Sequence, residues 1–187
     1  SVVHVTPVSG FDKEDVVTIA GLASKEESKD LLDLAVIAYS KTIGIDFSSY
    51  KRVAFIPFEP SIKRAEAVVE SKEVRFRAIK GAPQTVISLC EEMDEKTRER
   101  VNAVVEQSSQ KGYRTIGVAK STSADFDSLR FVGLLSLADP IRSESKNMIE
   151  EAKALGVKTM MLTGDNINIA KEIANEASIG SKIIRIA

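Results

Sequence analysis

The sequence predicts an α+β fold, an antiparallel sheet flanked by helices, followed by a partial α/β segment. Three observations predict it. Runs rich in β-branched and aromatic residues at 52–56, 65–69 and 73–79 are joined by connections short enough to favour antiparallel pairing. Apolar residues recur at helical spacing in the stretches before and after them. At Asp139-Pro140 the pattern changes to helix, strand and helix in alternation, with the residue before proline pushed out of helical geometry.

In order along the chain, 12–22 and 26–40 read as helices. In the second, Leu31, Leu34, Ala35 and Ala38 form the expected apolar stripe, and Glu26, Glu27, Lys29 and Asp33 occupy much of the remainder. After the three strands come helices at 83–93 and 94–111. The first has proline in its first turn; the second has an acidic start and Gly112 as its stop. Strands at 114–119 and 129–137 flank the polar loop 121–128 and complete the sheet, with helices expected mainly on one side. Ser143 can cap a helix running to Leu155, with Gly156 as its stop. A buried-type strand is expected at 157–162 and a helix at 167–177, and Ile183-Ile184 can open a further strand.

Length and composition bound the function. A chain of 187 residues with 43% hydrophobic and 28% charged residues can bury a core, and a net charge of −1 argues against a dedicated nucleic-acid surface. Cys90 is the one cysteine, so an internal disulfide or a multi-cysteine metal site is excluded, and it reads as a small core residue. His4, the one histidine, reads as a solvated side chain near a terminus. The longest apolar stretches fall far short of the roughly 20 residues needed to cross a bilayer, and no signal sequence is evident. The expectation is a soluble chain, most simply cytosolic.

Two turns are suited to phosphate-bearing ligands. Lys80 ends a strand-like run and is followed by Gly81-Ala82-Pro83 and a helix. Glycine lets backbone approach a ligand, the helix N-terminus favours anions, and the lysine adds a movable positive charge. Thr163-Gly164-Asp165-Asn166 follows the expected strand at 157–162, and in open parallel sheets ligands gather at the carboxyl ends of strands.

Lys80-Gly81-Ala82-Pro83, Asp139-Pro140-Ile141-Arg142 and Met161-Leu162-Thr163-Gly164-Asp165-Asn166, in that order and spacing, resemble the large cytoplasmic loop of P-type ion-pumping ATPases. Residues 23–33 and Phe55-Ile56-Pro57-Phe58-Glu59-Pro60 look most like the plasma-membrane proton-pump branch. The resemblance implies a nucleotide-binding domain over 1–137 and part of the phosphorylation domain over 138–187. It implies that Phe58 stacks on adenine, that Asp30 accepts a hydrogen bond from the adenine amino group, and that Lys63 lies at the pocket edge. Lys80 and Gly81 would lie deep in the pocket, and Arg114 would reach ribose or phosphates with its fork of donors. Asp139 and Arg142 would form the hinge, with Ile141 in place of the more frequent second proline; Thr163, Gly164 and Asp165 would face the transferred phosphoryl group. The plain alternatives are a core aromatic for Phe58, exposed helix charge for Asp30, solvated lysine for Lys63, and a surface ion pair for Arg114.

The family's acceptor motif, Asp-Lys-Thr-Gly-Thr, does not occur in this sequence, nor does its later Gly-Asp-Gly motif. The expectation is therefore an internal piece of a pump, on the cytoplasmic side of a membrane protein. It would bind ATP weakly, lack turnover and contain no metal ligands, with Mg2+ and the acceptor aspartate supplied by the rest of the same polypeptide. Two other classes remain open. One is a soluble haloacid-dehalogenase-like phosphatase, for which Asp125-Phe126-Asp127-Ser128 imitates the Asp-x-Asp nucleophile, though in a polar, turn-like setting. The other is a nucleotide-sensing module without turnover.

Overall fold

The structure is a computed structural model, and it describes residues 1–72, 74–90, 93–121, 128–138, 143–163 and 167–180. Six strands form one antiparallel sheet in the order β1-β6-β5-β4-β3-β2. They are β1 (Val2–Pro7), β2 (Lys51–Glu59), β3 (Arg64–Glu70), β4 (Arg75–Gly81), β5 (Arg114–Ser121) and β6 (Leu129–Leu137). All five expected sheet strands are present. The sixth, β1, lay outside the expectation because it is a short edge strand with His4 and Thr6 interrupting its apolar residues.

Helices cover both faces of the sheet, not mainly one. Ala78 and Ile79 are neighbours on β4 and point in opposite directions. Ala78 joins Ala67, Val69, Ile116, Val118 and Leu135 beneath α1 (Lys13–Leu22) and α2 (Leu31–Thr42). Ile79 joins Ala119, Phe131 and Leu134 beneath α3 (Pro83–Leu89) and α4 (Glu95–Gln110). The reason is visible in β6, where every residue but Arg130 is buried. A strand apolar on both sides needs a layer on each.

Polar side chains set the helix starts. Asp12 and Asp15 form a reciprocal capping box at α1, with Asp15 N–H donating to Asp12 Oδ1 at 2.8 Å and Asp12 N–H to Asp15 Oδ2 at 3.0 Å. Asp94 caps α4 by accepting from Thr97 N–H at 2.9 Å. The helix expected over 26–40 is divided. A single 3-10 turn spans Glu26–Ser28, Lys29 adopts left-handed backbone with φ 53°, and α2 starts only after Asp30.

The face of α2 also differs from the expected one. Its buried residues are Asp33, Val36 and Ser40, whereas Leu31 is 73% exposed and Leu34 and Ala38 are exposed as well.

Beyond the sheet lie α5 (Ser143–Ala154) and α6 (Ile167–Glu176). Ser178 Oγ donates to Glu150 Oε1 at 3.0 Å, Lys153 Nζ donates to the Ser178 carbonyl, and α6 packs on α4 with Ala170, Ala174 and Ala177 buried. The strand expected at 157–162 is not formed: these residues have no regular structure, and Met160 and Leu162 are 86% and 84% exposed. A strand needs a neighbour for its backbone N–H and C=O groups, and none lies beside this segment among the described residues. The α/β alternation expected after Asp139 is thus not seen there; Ile183 and Ile184 lie outside the described residues.

Candidate functional site

A cavity of about 330 Å³ opens at one end of the sheet, where β4 finishes and β5 begins. β4 supplies Lys80 and Gly81; β5 supplies Arg114, Thr115 and Ile116; Tyr113 lies just before β5. The N-terminal turn of α2 contributes Asp30, Leu32 and Asp33, β2 contributes Phe58, and α4 contributes Val105 and Ser109. The volume is at the small end of the range for small-molecule sites, roughly 300–1,000 Å³. Much of the wall is apolar, from Leu32, Phe58, Ala82, Val105 and Ile116.

Five of the six residues singled out for nucleotide contact meet here: Asp30, Phe58, Lys80, Gly81 and Arg114. Phe58 and Lys80 come from strands that are two apart in the sheet, yet both line the cavity. Phe58 is 48% exposed, so a ligand can cover its ring. Arg114 is exposed at the start of β5.

Lys63 is the exception. It is exposed and does not line the cavity; it stands in the β2–β3 turn with φ 52°, and its carbonyl accepts from Ala82 N–H at 3.0 Å. Lys63 touches the cavity-lining segment through its backbone. Gly81 likewise has a reason besides ligand approach: a Cβ there would stand 2.4 Å from the Lys63 carbonyl oxygen and 2.8 Å from Arg64 Cα. Close approach of β3 requires the glycine.

Lys80 is fixed, not movable. Its ammonium pairs with Asp33 Oδ1 and donates to Ser24 Oγ at 2.7 Å, and the residue is 5% exposed. Burial pushes its pKa below the ordinary lysine value, against the opposing pull of Asp33 and then Asp30. Asp30 is the N-cap of α2: Oδ1 accepts from Leu32 N–H at 2.9 Å and Asp33 N–H at 3.0 Å. One oxygen of its carboxylate holds the helix while the residue borders the cavity.

Of the hinge and phosphate-side residues, Thr163 is exposed in the irregular stretch before α6. Asp139, Arg142, Gly164 and Asp165 lie outside the described residues, as do Asp125 and Asp127 of the competing Asp-x-Asp reading. Sequence reasoning missed Asp33, Ser24, Leu32, Tyr113 and Thr115. Tyr113 and Thr115 flank Arg114, so a strand start already marked by one site residue was the available signal. For Asp33 the signal was Asp30 one helical turn earlier, beside a lysine-bearing strand.

An α+β domain with a ligand-sized cavity at the end of its sheet, walled by an aromatic ring and a buried lysine, is a small-molecule binding domain. Residues 11–144 match the family model described as P-type ATPase, cytoplasmic domain N, and the chain belongs to that family. It is 41% identical, over 98% of its length, to a Methanocaldococcus jannaschii protein named "Putative cation-transporting ATPase", covering 22% of that protein. It is 35% identical, over 96% of its length, to the "Probable plasma membrane ATPase" of Dictyostelium discoideum, covering 17%. With the "Plasma membrane ATPase" of Kluyveromyces lactis it is 33% identical over 94% of its length, covering 20%. The chain thus spans about a fifth of the length of the curated relatives it matches. No described helix is long and apolar enough to cross a membrane.

Proposed function

We propose that the chain binds ATP as the nucleotide-binding part of a cation-pumping P-type ATPase and presents the γ-phosphoryl group to an aspartate outside this chain. The observation that carries the reading is the convergence of Phe58, Lys80, Asp30 and Arg114 on one cavity. Electrostatics orient the ligand. Asp33 neutralises Lys80 and Asp30 adds a negative charge, so the Lys80 end of the cavity has no surplus positive charge for phosphates. That end suits the uncharged adenine, stacked on Phe58 with its amino group toward Asp30. Arg114, exposed and always cationic, suits the phosphates.

The domain division belongs to the same proposal: 1–137 binds nucleotide, and 138–187 is part of a phosphorylation domain of haloacid-dehalogenase-like type. Asp139 and Arg142 would serve as the hinge, and Thr163, Gly164 and Asp165 would face the phosphoryl group. The exposed Met160 and Leu162 support a neighbour supplied by the rest of the same polypeptide. Among the described residues no group of three or more acidic, histidine or cysteine side chains fits a metal ion. In this reading magnesium is held by the full-length enzyme. The names of the D. discoideum and K. lactis relatives support the plasma-membrane branch.

Titration of the labelled chain with ATP, followed by NMR, tests this. Binding on the order of millimolar is expected, with shifts around Phe58, Lys80 and Asp30 and negligible hydrolysis. Tripolyphosphate should shift Arg114 without Phe58. Phe58→Ala should remove about 1–3 kcal/mol, the usual worth of stacking a base on an aromatic ring. Shifts confined to residues 125–128 would overturn the assignment.

A further inference from the structure

We infer that Asp33 is a positioning residue for the site: it holds the Lys80 ammonium in place and locks that lysine to the Asp30-bearing end of α2. The inference rests on the ATP-binding reading for its functional meaning and on geometry for its substance. Asp33 Oδ1 pairs with Lys80 Nζ of β4. Its other oxygen accepts from Lys25 N–H at 2.9 Å and from Ser28 Oγ at 2.9 Å. One carboxylate thereby gathers a strand, the loop after α1 and the 3-10 turn. Ser24 completes the clamp, accepting from Lys80 at 2.7 Å and donating to the Ala20 carbonyl at 2.7 Å. An ammonium has three donors, and Asp33 and Ser24 take two. The third is left for a group in the cavity that Lys80 lines.

The polarity of α2 is an independent observation for the same conclusion. Asp33 is 4% exposed while Leu31, two residues away, is 73% exposed. Burying the aspartate and leaving the leucine in water contradicts the hydrophobic ordering of the helix. Local rules broken in this way mark functional or strained positions. An unpaired lysine stem has several freely turning bonds, so fixing its head in advance spares ligand binding that loss of freedom.

The charged groups facing Lys80 are Asp33 and Asp30 from α2 and its cap, and Arg52 from β2. Asp33 is the one in contact. Asp33→Asn keeps the shape and removes the charge, so the buried lysine loses its counter-ion and should titrate well below its ordinary range. ATP affinity, measured by titration between about pH 6 and 9, should then fall with rising pH, by up to about tenfold per unit once Lys80 begins to lose its proton. In the wild-type chain, where Asp33 opposes loss of the proton, the Lys80-linked fall should come at higher pH than in the variant, and NMR of the Lys80 side chain should report the same midpoint as the affinity. In a Lys80→Met background Asp33→Asn should alter neither affinity nor its pH slope, since Asp33 acts through the lysine. A folded Asp33→Asn chain with wild-type affinity and the wild-type pH profile overturns the inference.

If Asp33→Asn alone does not fold, the Asp33→Asn/Lys80→Met pair decides, because it removes both buried charges together. Recovery of folding in the pair supports the coupling; a pair as unfolded as the single variant assigns Asp33 to Lys25 and Ser28 and sinks the proposal. Failure of the ATP reading looks different. There the wild-type chain shows no ATP shifts, or Lys80→Met leaves them unchanged, while the coupling seen in folding stands.

Discussion

Gly81→Ala separates two reasons for a glycine at the floor of the cavity. If the glycine is there so that ligand can approach backbone, alanine leaves stability intact and weakens binding. The geometry favours the other reason. An added Cβ would come closer than 3.0 Å to three atoms at the start of β3 and in the turn before it: the Lys63 carbonyl oxygen at 2.4 Å, Arg64 Cβ at 2.7 Å and Arg64 Cα at 2.8 Å. Two of the three are backbone, so no rotamer change relieves them. Forcing a methyl into a packed site costs about 1–3 kcal/mol. Separating the strands also stretches the 3.0 Å bond from Ala82 N–H to the Lys63 carbonyl, worth about 1 kcal/mol. The sum is about 2–4 kcal/mol. With a urea m-value of about 2 kcal/mol/M, the unfolding midpoint should drop by about 1–2 M. An unchanged midpoint with weakened ATP binding would refute the packing argument and return Gly81 to the ligand.

Three further outcomes are expected. Asp30→Ala should cost about 1 kcal/mol through loss of the α2 cap, whereas Asp30→Asn keeps the cap; urea titration checks this, and any fall in ATP affinity in the asparagine variant then reports the carboxylate itself. Glu66 is buried; burial pushes its carboxyl upward, but hydrogen bonds and charge from Arg64 at 2.5 Å and Arg77 at 2.6 Å outweigh that and hold it below the usual glutamate value. Its stabilisation is therefore fully present above about pH 4.5 and is lost as pH falls through the lowered value. Glu66→Gln should cost about 2 kcal/mol at neutral pH and flatten the acid limb of a stability profile; an unaltered acid limb would discard the assignment. The Cys90 thiol is pushed up to about 12 by burial, so alkylation at pH 8 should be slow in the folded chain and speed up on unfolding, which a free thiol's rate in native buffer would contradict.

How far the sequence could be read depended on where each element finds its partners. β6 matched its expected bounds, 129–137, because a long apolar run between turns carries its own signal. Asp94 and Gly112 bracketed α4 for the same local reason, a cap at one end and φ 74° at the other. The two-faced burial of β6 was also there to be read, since leucine, phenylalanine and valine stand at both parities of that strand. By contrast 157–162 has strand composition and no strand structure. Composition describes what a segment tolerates, and pairing decides what it becomes. Five cavity-lining residues were legible as parts of motifs at strand ends and a helix cap, whereas Lys63, five residues after Phe58, stands on the turn beyond its strand and does not line the cavity.

The harder failure was α2, and it has a specific cause. Periodicity assigns the apolar stripe to the interior, which put Leu31 and Leu34 inward and Asp33 outward. The molecule does the reverse because Lys80, fixed on a central strand, presents a buried ammonium to that helix. A lysine in such a place left without a carboxylate would be strongly disfavoured, by more than the burial of one leucine returns. The helix therefore turns Asp33 in, keeps Leu32 against the core, and leaves Leu31 in water with Leu34 partly exposed. The pair is separated by 47 residues in sequence, so no window over α2 alone contains the reason for its orientation. The same residue that defeats the periodicity argument is the one that aligns two walls of the cavity, Asp30 and Lys80. Turning α2 so that Leu31 and Leu34 face inward would uncouple them, and for that reason those two exposed leucines and the fixed lysine are one feature of the site, not two.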